Sequence, residues 1–270
     1  MRFTSFAVVC AAVTAVCAAP SLQPTKRQTA AATVYSSCVT PNTVALTFDD
    51  GVYIYEKNIS DMLVQNQIKG TFFVNGNNWA CIYDTDMVAN IQNTFAAGHQ
   101  VAAHTWSHPD LTTLTEDDIT SEFEQIETAL NKILGIQPAM MRPPYGNYNP
   151  TVQSVAAARN QTVIVWDFDD GDSEGATVAA SEAAYDAIIA KKPSTIMSLN
   201  HETYQTTAQD VLPYAIAALK KAGYTFATVS ECLGIPAYQW TTSPGTPDAS
   251  WTCANSTQPG PGRREVYHRR

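Results

Sequence analysis

The chain is short of positive charge: among its 270 residues, sixteen Lys and Arg stand against twenty-five Asp and Glu. The imbalance is sharper between residues 28 and 262, where nine basic and twenty-four acidic side chains leave a formal charge of −15. Such a body argues against a nucleic-acid partner and suits a neutral or amine-bearing substrate. Long apolar runs are also scarce. The one sustained stretch, Phe6 to Val16, is too short for a bilayer, so no membrane span is expected. Cysteine is limited to six residues with no C-x-x-C pair, which removes the usual thiolate zinc site. No glycine-rich fingerprint follows the first apolar run, which counts against an open dinucleotide-type sheet.

The residues that are present point to export. Met1 to Ala19 combine an early Arg2, the apolar stretch and small residues at Cys17, Ala18 and Ala19, the pattern of a secretory signal peptide. Residues 20–27 end in the dibasic pair Lys26-Arg27, so a short propeptide and a mature start near Gln28 are expected. Cys38, Cys81, Cys232 and Cys253 then remain, and four cysteines in a secreted chain predict two disulfides. Three connectivities are open, one of which would staple the ends of the patterned region through Cys38 and Cys232. Asn58-Ile59-Ser60, Asn160-Gln161-Thr162 and Asn255-Ser256-Thr257 are glycosylation sequons. The expectation is a secreted monomer, extracellular or in the cell wall.

Hydrophobic periodicity alternates between two and 3.6 along the chain. Strands are expected at Thr43 to Phe48, Thr71 to Val74, Gln100 to Ala103, Ala139 to Met141, Thr162 to Trp166, Ser194 to Leu199 and Thr225 to Val229. Helices are expected between them, over residues 55–67, 87–97, 115–134, 150–158, 176–191 and 208–222. This alternation predicts an α/β fold with parallel strands and right-handed crossovers. About seven β/α units over residues 28–233 are too few for a full eight-unit barrel, which favours a single catalytic domain built as a distorted or incomplete (β/α) barrel. An open doubly wound sheet is the alternative. Residues 234–270 lose periodicity and turn rich in Pro, Gly, Ser and Thr, so a linker or disordered tail that Cys253 could pin is expected there.

Candidate chemistry collects at the ends of these strands. Asp49 and Asp50 close the first one, and two adjacent acids are costly to desolvate unless a cation or proton lies between them, although a solvated Asp-Asp-Gly turn would need neither. His104 and His108, four apart, could face one ion from a single helical turn, or could simply be a surface pair. With a carboxylate they would form an Asp-His-His site with coordination positions left for water and substrate, suited to Zn2+, with Co2+ or nickel as substitutes.

Four motifs in order, Thr47-Phe48-Asp49-Asp50-Gly51, His104-x-x-x-His108, Arg142-Pro143-Pro144-Tyr145 and Leu199-Asn200-His201, resemble those of the polysaccharide deacetylases, carbohydrate esterase family 4. The resemblance covers about residues 42–231 and, with the processing signals, points toward the fungal chitin deacetylases. It implies that Asp50, His104 and His108 hold a divalent metal while Asp49 acts as base, oriented by Arg142. It further implies that the backbone N–H of Tyr145 meets the oxyanion and that His201 is the acid, with Asp172 as its partner. The family's D-x-x-D-W pattern meets Ser173 where tryptophan is usual, which leaves Asp169 and Asp172 in competition for that last role. Leu199 is expected to line the acetyl pocket and Trp79 to grip sugar. Trp106, Tyr145 and Tyr204 are further aromatic candidates, with Trp166 read as core and His99 as structural. The expected reaction releases acetate from N-acetylglucosamine units of chitin, chitooligosaccharides or a related N-acetylated polysaccharide. An acetylxylan esterase, a peptidoglycan deacetylase or a non-catalytic carbohydrate-binding relative are the alternatives.

Overall fold

Alternation of strand and helix runs through the computed structural model, which describes Met1, residues 31–254 and Ser256. The signal peptide beyond Met1, the propeptide, the mature start near Gln28, the basic tail, and Asn255 and Thr257 of the third sequon lie outside the described residues. In chain order the elements are β1 Val34–Tyr35, β2 Thr43–Ala45, β3 Thr47–Gly51, α1 Glu56–Gln65, β4 Thr71–Val74, α2 Thr85–Ala96, β5 Gln100–Ala103 and α3 Glu116–Leu134. There follow β6 Ile136–Pro138, β7 Met140–Met141, α4 Pro150–Ala158, β8 Thr162–Ile164, β9 Phe168–Asp169, α5 Val178–Lys191, β10 Thr195–His201, α6 Leu212–Ala222, β11 Thr225–Phe226, α7 Val229–Leu233 and β12 Tyr238–Thr241.

Local chemistry explains the boundaries. The α3 helix starts where the Thr115 side chain accepts the Asp118 N–H, with Glu116, Asp117 and Asp118 set against the positive end of the helix dipole. Ile119, Phe123, Ile126, Leu130 and Ile133 form its buried stripe, and Gly135 ends it in a left-handed conformation.

The principal sheet has the order β1-β8-β7-β5-β4-β3-β10-β2-β11, with β9 added on β10, and its pairings are parallel. Successive strand residues point to opposite faces. Val44, Phe72, Val101, Met141, Val163 and Ile196 join the cluster that includes the helix stripes. Their neighbours Ala45, Phe73, Ala102, Met140, Ile164 and Met197 pack with one another and with Val229, Cys232 and Leu233 of α7. Side chains from strands so far apart in the ladder meet only if the sheet curls around them, so the fold is the incomplete (β/α) barrel and not the open sheet. Seven α-helices accompany it among the described residues, and a disulfide from Cys38 reaches Cys232 within α7.

Three expectations need correction. The first strand is two segments, and the second runs on through Asp49, Asp50 and Gly51. The last barrel strand stops at Phe226, because the Thr228 side chain and Glu231 form a capping box that opens α7. Residues 234–254 are not a linker: β12 pairs antiparallel with β6, and the Thr242 and Gly245 N–H groups donate to the carbonyls of Gly135 and Lys132, both at 2.7 Å. Cys253 closes the second disulfide on Cys81. The strand-forming run Tyr238-Gln239-Trp240-Thr241 is short enough to be masked by the surrounding Pro, Gly, Ser and Thr.

Candidate active site

The parallel ladder brings the C-terminal strand ends to one face, as register requires: His201 of β10 stands opposite Asp49 of β3, and Ala103 of β5 opposite Met141 of β7. His104 and Arg142, the next residues along those last two strands, therefore arrive together. The buried Arg142 donates from Nη1 to Asp49 Oδ1 at 2.7 Å and to Thr47 Oγ1 at 2.7 Å, and from Nη2 to the Val165 carbonyl at 3.2 Å. Phe73 stacks beneath the guanidinium. Burial pushes the Asp49 carboxyl up to about 6, against the opposing pull of Arg142.

Asp50, His104 and His108 are all buried, and each offers a ligand atom within 4.8 Å of the others. Asp50 Oδ1 lies 3.1 Å from His108 Nε2 and 3.7 Å from His104 Nε2. Two donors bound at about 2.0–2.1 Å to a tetrahedral zinc would be separated by about 3.3 Å, so the group fits such an ion. The ligand chemistry agrees. His104 Nδ1 lies 2.7 Å from the Arg142 carbonyl, which assigns its proton to Nδ1 and turns a lone pair on Nε2 toward the site. Burial, then His108, holds His104 well below the usual histidine value, hence neutral. The helical turn expected for this pair is absent. The two histidines sit in a loop after β5, in which Thr105 and His108 have φ of 71° and 60° and Thr105 Oγ1 accepts the His108 N–H. Non-glycine residues in this left-handed region cost of order 1 kcal/mol each, and Asp50 and Tyr145 share it.

Across the cavity, His201 Nδ1 lies 2.6 Å from Asp172 Oδ1, while Asp172 Oδ2 accepts the His201 N–H at 2.7 Å and the Thr207 hydroxyl at 2.8 Å. Burial alone would lower the His201 value, but the Asp172 charge and hydrogen bond outweigh it and raise it to about 9. Asp169 is exposed and accepts the Gly171 N–H instead, so geometry pairs Asp172 with His201.

These groups open onto one cavity of about 850 Å³. Tyr55, Trp79 and Tyr204 contribute to its wall, as do Tyr145 and Trp166, with Leu199 and Ser173 also in the lining. Trp166 is therefore not the core residue expected, and it packs beside Gly146 and Arg142. Trp79 lines the cavity and also donates its indole N–H to Asp50 Oδ2 at 3.2 Å. Trp106 is buried away from the lining, and His99 bridges Gly70 and Ser60 as a structural group. Sequence reasoning missed Tyr55, Gln205 and Thr206 in the lining, and Asn75 and Asn78 behind the metal group. Their only signal was proximity to a strand end.

The polysaccharide deacetylase family model matches residues 36–164. A chitin deacetylase of Pestalotiopsis sp is 39% identical over 215 residues, covering 79% of this chain and 71% of that protein. A peptidoglycan-N-acetylglucosamine deacetylase of Bacillus cereus is 32% identical over 191 residues, covering 69% and 66%. The solved chitin deacetylase of the fungal pathogen Colletotrichum lindemuthianum has a TM-score of 0.74 and 32% identity, covering 79% of this chain and 96% of that one. Similarity at this level, in sequence and in backbone alike, makes the chain a member of the polysaccharide deacetylase family.

Proposed function

We propose that the chain is a secreted, metal-dependent chitin deacetylase that hydrolyses the N-acetyl amide of N-acetylglucosamine units in chitin or chitooligosaccharides, releasing acetate and leaving a chitosan-like amine. The observation that carries this is the convergence of a buried base, a three-residue metal group and a charged histidine on one aromatic-walled cavity. Zn2+, or Co2+ in its place, held by Asp50, His104 and His108 would polarise the acetamide carbonyl and make water a better nucleophile. Asp49 takes the proton from the attacking water, and a value near 6 leaves it ionised at neutral pH yet basic enough to accept. Arg142 aims that carboxylate and keeps it paired in a buried site. The left-handed Tyr145, on its proline-fixed turn, offers its backbone N–H to the oxyanion formed at the carbonyl carbon. His201, charged through Asp172, gives its Nε2 proton to the amide nitrogen as the C–N bond breaks, because that nitrogen leaves poorly as an anion. Leu199 bounds the space for the acetyl methyl, and Trp79 and Tyr204 offer ring surface to sugar.

Secretion is supported by the two disulfides and the N-terminal pattern. The Pestalotiopsis relative favours chitin over peptidoglycan, being the more similar of the two compared. Acetate release from chitin oligomers, peptidoglycan and acetylated xylan tests the reading. Turnover should be fastest on chitin oligomers; preference for another polymer would reassign the substrate, and no release from any would favour a binding role.

A further inference from the structure

We propose that Asn78, backed by Asn75, positions the Asp50 carboxylate against the two histidines. This rests on the reading of Asp50, His104 and His108 as a metal site. Asn78 is 1% exposed, and its Nδ2 donates to Asp50 Oδ1 at 3.2 Å and to Asn75 Oδ1 at 3.0 Å. Asp50 Oδ1 is the oxygen that faces both histidine Nε2 atoms, so Asn78 holds the ligand atom itself, while Trp79 holds Oδ2. Asn75 carries the restraint to the other ligands. Its Nδ2 donates to the carbonyl of Thr105 at 3.1 Å and to that of His104. The main chain adds to this, since the Gly76 and Asn77 N–H groups both donate to the Trp106 carbonyl, at 2.9 and 2.7 Å. A side chain on Gly76 would strike the Trp106 ring, so glycine lets the two loops approach. Residues 75–79 thus grip the acidic ligand with one set of amides and the histidine loop with another.

The Asn78 amide has one workable orientation. Both groups at its Nδ2 are acceptors, and a flip would set oxygen against a carboxylate and a carbonyl. Its own Oδ1 is buried with no hydrogen-bond partner among the described residues. An amide selected for stability alone would satisfy that oxygen, whereas one selected for its donors tolerates the orphan.

Metal affinity and folding stability should therefore separate. Full-length wild type, Asn78→Ala and Asn78→Asp are loaded with Zn2+ and titrated with a chelator while released zinc is measured, and each metal-free form is unfolded in urea. Removing an outer partner of a metal ligand typically weakens binding about 10–100-fold. Asn78→Ala should show a loss of about that size while its metal-free urea midpoint falls only modestly, because the donor lost by Asp50 Oδ1 and Asn75 Oδ1 is partly offset by removal of the orphaned oxygen. Asn78→Asp, which puts acceptors face to face, should lose more. Wild-type zinc retention in Asn78→Ala, or an affinity loss that appears only where its metal-free form has unfolded, would overturn the proposal. Failure of the wild type itself to hold zinc would instead overturn the metal reading beneath it.

Discussion

Asp49 and Asp50 are chain neighbours with different surroundings: both lie 3.7 Å from His104 Nε2, but Asp49 is paired with the buried Arg142 guanidinium, whereas Asp50 also meets His108 and the Asn78 and Trp79 donors. Strand alternation separates their directions, and the φ of 72° at Asp50 adds to the divergence. The acids and histidines were legible in the sequence because their types and order are unusual. Asn75 and Asn78 were not, because an asparagine after a strand ordinarily reads as a turn. Asp172 was legible only as one of two candidates, until the His201 hydrogen bond chose it. That pair yields a pH prediction. On the proposed role of His201 as the acid for the leaving nitrogen, it must be protonated, so turnover should fall as pH rises through about 9. Asp172→Asn removes the charge that raises this value, so the alkaline limb should move down by about 1–3 pH units in a kcat/KM profile. An unmoved limb would remove Asp172 from the role.

At the scale of elements, the strands and helices of the barrel could be read from periodicity, while their ends required hydrogen bonds. Phe226 to Val229 looks like continuous strand until the Thr228 cap is seen, and the histidine loop looks helical until the φ values of Thr105 and His108 are known. Nor did the pattern reveal that two acids, Glu56 at the start of α1 and Glu202 just after β10, are buried behind β3. Glu202 Oε1 accepts the Tyr53 N–H at 2.9 Å and fills the space beside Gly51, where any side chain would collide with it. Burial pushes Glu56 up to about 8, and burial followed by the Glu56 charge lifts Glu202 well above its ordinary value. The folded chain therefore keeps protons that the unfolded chain, titrating near 4.5, has released. The associated stability is full below about 4.5 and is lost as pH rises through about 8. Glu56→Gln keeps a neutral donor at every pH, so it should flatten the decline in thermal midpoint between pH 5 and pH 8. A decline as steep as in the wild type would show that Glu56 is not the source.

For the whole molecule, the alternation of elements predicted the barrel, but composition misled about where it ends. A Pro, Gly, Ser and Thr-rich stretch reads as tail, yet Cys81–Cys253 and the β6–β12 pairing fix residues 238–253 on the domain. The bridge also anchors the segment that carries Asn78 and Trp79, since Cys81 pairs with Asn77 and lies two residues beyond Trp79. It joins residues 172 positions apart, a separation at which a disulfide is worth typically about 2–4 kcal/mol. The double variant Cys81→Ala/Cys253→Ala should lose about that much in urea unfolding; a loss below about 0.5 kcal/mol would mean that the packing holds without it.

The most direct measurement of the account pairs acetate release from chitin oligomers with metal content in the same wild-type and Asp49→Asn samples. Wild-type release should stop on chelation and return with Zn2+ or Co2+. Asp49→Asn should keep the metal and lose at least about 100-fold in turnover, as expected on removing a general base. Wild-type release indifferent to chelation, or an Asp49→Asn variant that turns over normally or has lost its metal, would contradict the division of labour between the two adjacent acids.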